Sequence, residues 1–97
     1  MPIKRGDGRH GRPTYNQAQK IIAKFGGEAN LASAMTEAGT PVSRITCYRW
    51  GYARPYGSDG LVPSSAIDRV QRAARREGII LTDDDWRPER INYEVAA

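Results

Sequence analysis

Apolar residues recur along this chain at helical spacing, in four blocks punctuated by glycine. In the first, Ala18, Ile21, Ile22 and Phe25 fall at i, i+3, i+4 and i+7, one stripe of a helix. Thr14, with Gln17 three residues on, predicts a capping box at its start, and Gly26 predicts a left-handed cap at its end. Lys20 and Lys24 fall off the stripe, toward solvent or phosphate. The second block, about residues 28–38, repeats the stripe with Leu31, Ala34, Met35 and Ala38, and Gly39 stops it. Ala29, Ala32 and Ser33 keep its other sides small, which permits close helix approach. The third block covers residues 42–50, with Thr40 as the expected N-cap and Pro41 at the first helical position. Ile45, Cys47, Tyr48 and Trp50 supply its apolar anchors, while Ser43, Arg44, Thr46 and Arg49 supply a hydrogen-bonding, cationic side. The fourth block follows the apolar lead-in Leu61-Val62-Pro63, is capped by Ser64 or Ser65, buries Ile67, Val70 and Ala74, and closes at Gly78.

The stretches between the blocks are read from their punctuation. Residues 51–60 carry three Gly, a Pro and a Ser-Asp pair and form a loop. Its Tyr52 and Tyr56 are expected to pack on the core rather than to flank a nucleic-acid backbone. Ile79-Ile80-Leu81 is expected to return into the core. Thr82 followed by Asp83, Asp84 and Asp85 makes a short-helix N-terminus, a cap with three carboxylates near the positive end of the dipole. A metal site there is disfavoured, because adjacent Asp residues on one turn diverge and the spacing is not that of a calcium loop. Residues 91–95 alternate apolar and polar, a period-two strand signal. Residues 1–13 are rich in Gly, Arg and Lys with Ile3 as the one sizeable apolar residue, which reads as a flexible basic arm. The expected architecture is therefore all-α. Four to five short helices with a helix-turn-helix occupy residues 14–88, the arm precedes them, and residues 89–97 form a tail or a dimerisation strand.

Composition narrows the class. Ninety-seven residues with 39% apolar content, two Trp and five Tyr support one small folded domain. No apolar run approaches the ~18 residues of a membrane span, and the charged N-terminus has no apolar stretch behind it, so neither membrane nor secretory signal is expected. The single Cys47 cannot form an internal disulfide and fits a reducing cytoplasm. With His10 as the lone histidine, four-ligand zinc is also out of reach. The net charge of +4 is unevenly spread. Residues 1–54 hold nine Lys/Arg against three acids, and residues 55–97 hold six Arg against eight acids. The positive half contains the third block, which favours a polyanion partner. The four arginines of the fourth block, Arg69, Arg72, Arg75 and Arg76, more simply make a solvated face.

Enzymatic chemistry is not expected. There is no Gly-rich phosphate loop with Lys-Ser/Thr and no carboxylate pair in an apolar context. Cys47 and His10 sit in a capped helix and in the arm, whereas a nucleophile and its base must be held at hydrogen-bond distance. No cofactor and no small-molecule ligand is indicated.

A helix that is half core and half donors, after a Gly-containing turn, suits the second helix of a helix-turn-helix. Leu31-Ala32, Met35 and Val42-Ser43-Arg44-Ile45-Thr46-Cys47-Tyr48-Arg49-Trp50 resemble the helix-turn-helix of the Cro and lambda-repressor-like DNA-binding domains. Phe25-Gly26-Gly27 before it, and the Gly-rich loop, Leu61-Val62-Pro63 and basic helix after it, look like a group of small proteobacterial and phage-related proteins of that superfamily. The resemblance spans about residues 15–87. One departure matters: residues 36–41 stand where a single Gly is usual, about five residues extra. Two frames follow. With Gly39 as the turn glycine, Ile45 and Tyr48 face the core. With residue 42 onward aligned to the family, Cys47 and Trp50 face the core, and Tyr48 and Arg49 face the groove. The second frame matches nine consecutive positions and anchors the largest side chain, so it is preferred; Ser43, Arg44 and Arg49 are exposed in both.

The resemblance and the charge pattern together imply a sequence-specific double-stranded DNA-binding protein, a bacterial or phage transcriptional repressor or activator, cytoplasmic and nucleoid-associated when bound. Arg44 and Arg49 are expected to offer paired donors to guanine, Ser43, Thr46 and Tyr48 to reach bases or phosphate, and Lys4, Arg5, Arg9, Arg12 and Arg54 to hold the backbone. A homodimer on two half-sites is expected, paired either through residues 91–95 or otherwise, with that segment folded on its own domain as the alternative. The rival function is a protein-interaction adaptor on the same fold, binding another regulator instead of DNA.

Overall fold

The computed structural model describes residues 11–93. Within them the chain is all-α, with α1 (Gln17–Phe25), α2 (Glu28–Glu37), α3 (Arg44–Arg49), α4 (Ser64–Glu77) and α5 (Asp83–Trp86). α2 is the hub: α1, α3 and α4 all pack on it, and α5 packs on α1. The expected stripes converge there. Ala18, Ile21, Ile22 and Phe25 meet Leu31, Ala34 and Met35 from α2 and Val70 and Ala74 from α4 in one core, with Ala38 and Ile67 half-buried at its margin. No helix of the described residues is long and apolar enough to cross a membrane.

Three helices end in the same way. Gly26, Gly39 and Gly78 take φ of 89°, 102° and 73°. The next N–H then reaches back to close each end, Gly27 to the Ile22 carbonyl at 3.1 Å, Thr40 to Met35 at 2.8 Å and Ile79 to Ala74 at 2.8 Å. This is the Schellman arrangement, which a side chain with a Cβ resists at the left-handed position.

Helix starts depart from expectation at three places, and at α4 neither Ser64 nor Ser65 is the cap: Pro63 holds the N-cap position with no side-chain cap, and both serines lie in the first turn. α1 begins at Gln17 behind Asn16, which makes no side-chain cap. Thr14 lies outside the helix, and its N–H donates to Oδ1 of the buried Asp59 at 2.8 Å. Gln17 does not reach back to Thr14; it is buried, donating from Nε2 to the Trp86 carbonyl at 2.6 Å and accepting at Oε1 from the Val62 N–H at 2.9 Å. A local capping box is worth about 1 kcal/mol. Two otherwise orphaned backbone groups in a buried setting cost more than that, so the tertiary bridge prevails. The start of α3 is displaced likewise, from Thr40 to Ser43, as described below.

The tail folds onto its own domain. Tyr15 and Arg90 form an isolated antiparallel bridge, Asn16 N–H donates to the Glu89 carbonyl at 3.0 Å, and Ile91 N–H donates to the Thr14 carbonyl at 2.9 Å. The Tyr93 hydroxyl donates to the Pro13 carbonyl at 2.7 Å, and the Arg12 guanidinium lies 5.0 Å from the Tyr93 ring centroid. Pro13 is buried. Residues 91–93 carry no strand, and the rest of the expected 91–95 strand lies outside the described residues. Residues 79–81 return only in part: Ile79 and Leu81 pack on the core while Ile80 is 78% exposed.

Candidate nucleic-acid interface

α3 owes its placement to the turn before it. Gly39 and Thr40 close α2, and the chain then runs without regular secondary structure through Pro41 and Val42. The Thr36 hydroxyl pins that run, donating to the Val42 carbonyl and accepting from the Val42 N–H, each at 3.3 Å. The residues beyond the usual single glycine are thus consumed by a helix cap and a pinned link. Ser43, not Thr40, is the N-cap: its φ/ψ is extended, and its Oγ accepts from the Thr46 N–H at 3.3 Å. The hydroxyls of Ser43 and Thr46 also lie 3.3 Å apart. Ser43 is exposed, but its hydroxyl is already committed to starting the helix.

The six residues of α3 divide sharply. Cys47 and, at its C-cap, Trp50 are buried in the core, while Arg44, Ile45, Thr46 and Arg49 are exposed and Tyr48 is half-buried. Helical rotation of ~100° per residue makes Ile45 and Arg49 the two positions most nearly opposite Cys47, with Arg44 and Tyr48 on one flank and Thr46 on the other. This is the frame in which Cys47 and Trp50 face inward. Ile45, which the other frame buries, stands at the centre of the outward face. Sequence reasoning gave it no functional role, although the wheel of the preferred frame already placed it there.

The loop after α3 holds its far end. The Arg49 carbonyl accepts from the Tyr52 and Ser58 N–H groups at 3.1 and 3.3 Å, and the Trp50 carbonyl accepts from Gly60 at 2.7 Å. A Cβ at Gly60 would collide with the Tyr15 carbonyl, so the loop runs directly against the start of α1. Tyr52 is buried as expected, whereas Tyr56 is exposed.

The cations sort by partner. Lys20 donates to the Asp84 and Arg87 carbonyls at 2.6 and 3.0 Å and pairs with Glu89 at 3.2 Å. Lys24 pairs with Asp85 at 3.4 Å, and Arg76 with Glu37 and Glu77 at 3.3 Å. Arg54 is exposed, 3.9 Å from Asp59 Oδ2, and Arg12 rests on Tyr93. Among the described residues no carboxylate pairs with Arg44 or Arg49. Lys4, Arg5 and Arg9 lie outside the described residues. Burial, with a smaller contribution from the Glu28 charge, pushes the Cys47 thiol up to about 11, so it stays protonated and packs as a small apolar group. Among the described residues no group of three or more His, Cys, Asp or Glu is placed to hold a metal.

What the arrangement offers is one outward helix face, held at both ends, with an apolar centre, a hydroxyl and two guanidiniums that have no carboxylate partner among the described residues. No family model, curated protein or solved structure matches the chain.

Proposed function

We propose that this protein is a sequence-specific double-stranded DNA-binding protein of the Cro and lambda-repressor-like class. In this reading it acts in the bacterial cytoplasm as a host or phage transcriptional regulator and binds as a homodimer on two half-sites. α2 braces α3, and α3 enters the major groove. The observation that carries the reading is the division of α3: Cys47 and Trp50 lock one side into the core, while Arg49 on the outward face and Arg44 on its flank are exposed with no carboxylate partner among the described residues. Among the described residues Arg69, Arg72, Arg75 and Arg90 also lack a carboxylate partner, so what supports the reading is the place of Arg44 and Arg49 on the short helix that Cys47 and Trp50 fix to the core, where they can meet an anion. Each guanidinium can donate two hydrogen bonds to O6 and N7 of a guanine. Thr46 supports a base or phosphate contact, and Ser43 chiefly sets the helix start. Arg54 and the basic residues of 1–12 supply backbone charge.

The test is a gel shift on random duplexes at about 50 and about 200 mM salt, followed by selection of bound sequences. Binding at low salt that weakens steeply at high salt, and an enriched site, are expected. Arg49→Ala should then lose roughly 1–3 kcal/mol of specific binding and relax the preference at one position. No retained duplex at low salt would replace this reading with the adaptor.

A further inference from the structure

We propose that Ile45 is a specificity-determining residue that reads the 5-methyl group of a thymine in the major groove; the proposal rests on the DNA-binding reading above and deepens it. Ile45 is 56% exposed. Of the large apolar residues exposed among the described positions, Tyr56, Ile80 and Tyr93 lie in loops or the tail, and Ile45 alone stands on a helix. A single exposed apolar side chain is ordinary on a protein surface. This one sits at the middle of the outward face of α3, beside Arg49 and the half-buried Tyr48, with Arg44 and Thr46 further out on the two flanks. An aliphatic group ringed by donors matches the pattern of a base-pair edge where a methyl lies beside acceptors, and thymine is the base that carries a methyl there.

The residue type also suits the task. A β-branched side chain in a helix is confined to essentially one χ1 rotamer. Its γ-carbons are therefore set before DNA arrives, and little rotamer freedom is lost on contact. Arg49 follows at i+4 on the same row, ~6 Å along the axis. That rise corresponds to roughly two base-pair steps of ~3.4 Å. The recognised sequence should therefore hold a guanine, for Arg49, within about two steps of the thymine read by Ile45.

The experiment uses the full chain and its selected duplex, with each thymine replaced in turn by deoxyuridine, which removes the methyl and nothing else. Wild-type protein should bind one such duplex about fourfold more weakly, the effect of one buried carbon. Ile45→Ala should be indifferent to that substitution, while showing the same response as wild type at every other thymine. Because Ile45 is exposed and belongs neither to the core nor to the half-buried residues packed against it, Ile45→Ala should melt close to the wild-type protein, and that is checked by circular dichroism. If a selected site is bound but every deoxyuridine affects both proteins equally, Ile45 reads no methyl and the DNA-binding reading survives. If no duplex is bound at any salt, the DNA-binding reading fails and this inference falls with it.

Discussion

Trp50 joins the two sides of the proposed mechanism, since the residue that ends α3 is also the one that fastens it. Its side chain is buried in the core and its carbonyl accepts from Gly60. Trp50→Ala should destabilise the protein by about 3–5 kcal/mol through the cavity it leaves. At ~4–8 °C per kcal/mol for a domain of this size, the melting temperature should drop by ~12 °C or more. A variant melting within a few degrees of wild type would show that Trp50 does not anchor the helix. Burial at this scale was only half legible beforehand. α3 has six residues, fewer than two turns, and in so short a window Ile45 with Tyr48 makes as good an apolar row as Cys47 with Trp50. Periodicity could not choose between them. The frame preferred from the resemblance buries Cys47 and Trp50, and Cys47 and Trp50 are buried while Ile45 is exposed. Asp59 gave no such signal: it holds φ of 60° and receives the Thr14 N–H from 45 positions away, a partnership no local pattern announces.

At the scale of elements, helix ends were easier to read than helix beginnings. A left-handed cap nearly demands glycine, so Gly26, Gly39 and Gly78 marked their ends without ambiguity. An N-cap accepts several residue types: the Thr14 N–H goes to Asp59, Thr40 closes α2 on Met35, and Ser64 lies inside α4 behind Pro63. α5 kept its expected start because nothing competes there. Thr82 accepts from the Asp85 N–H at 3.3 Å, and Asp85 accepts from the Thr82 N–H at 2.9 Å, a reciprocal box. Thr82→Ala should cost about 1 kcal/mol, measured by denaturant titration, with α1 and α4 intact. The same box carries a pH dependence. The Thr82 N–H, then the Thr82 hydroxyl and Lys24, hold the Asp85 carboxyl below its ordinary range against the opposing effect of burial. A depressed folded pKa gives stability that is complete above the unfolded value, near ~3.9, and is lost as pH falls through the lower folded value. Wild type should therefore exceed Asp85→Asn in melting temperature at neutral pH, and the gap should close in acid. A gap that stays constant down to about pH 2 would mean the carboxylate contributes nothing through its charge.

Across the whole molecule, the tail is engaged by its own chain. Glu89 and Ile91 turn their backbone groups toward Asn16 and Thr14 of the same chain, so that edge is already used. Deleting residues 91–97 removes the Ile91 and Tyr93 hydrogen bonds, at about 0.5–1.5 kcal/mol each. The truncated protein should melt earlier but keep its mass in solution and its half-site spacing on DNA. A fall from dimer to monomer mass would return the assembly role to the tail. The period-two pattern of 91–95 did not reveal this, because alternation reports which face is apolar and not whose backbone lies alongside. The clasp between residues 13–16 and 89–93 has a further consequence. It brings together positions more than seventy apart in sequence, so the fold is topologically close to a ring with one cut. Chain order and packing are then separable. A circular permutant that leads residue 93 back to residue 11 through a short linker, and opens instead between Gly26 and Gly27, would keep the helix contacts on α2 that hold α3. It would also turn the pairing of residues 13–16 with 89–93 into a local one, which acts on the speed of folding and leaves the face of α3 unaltered.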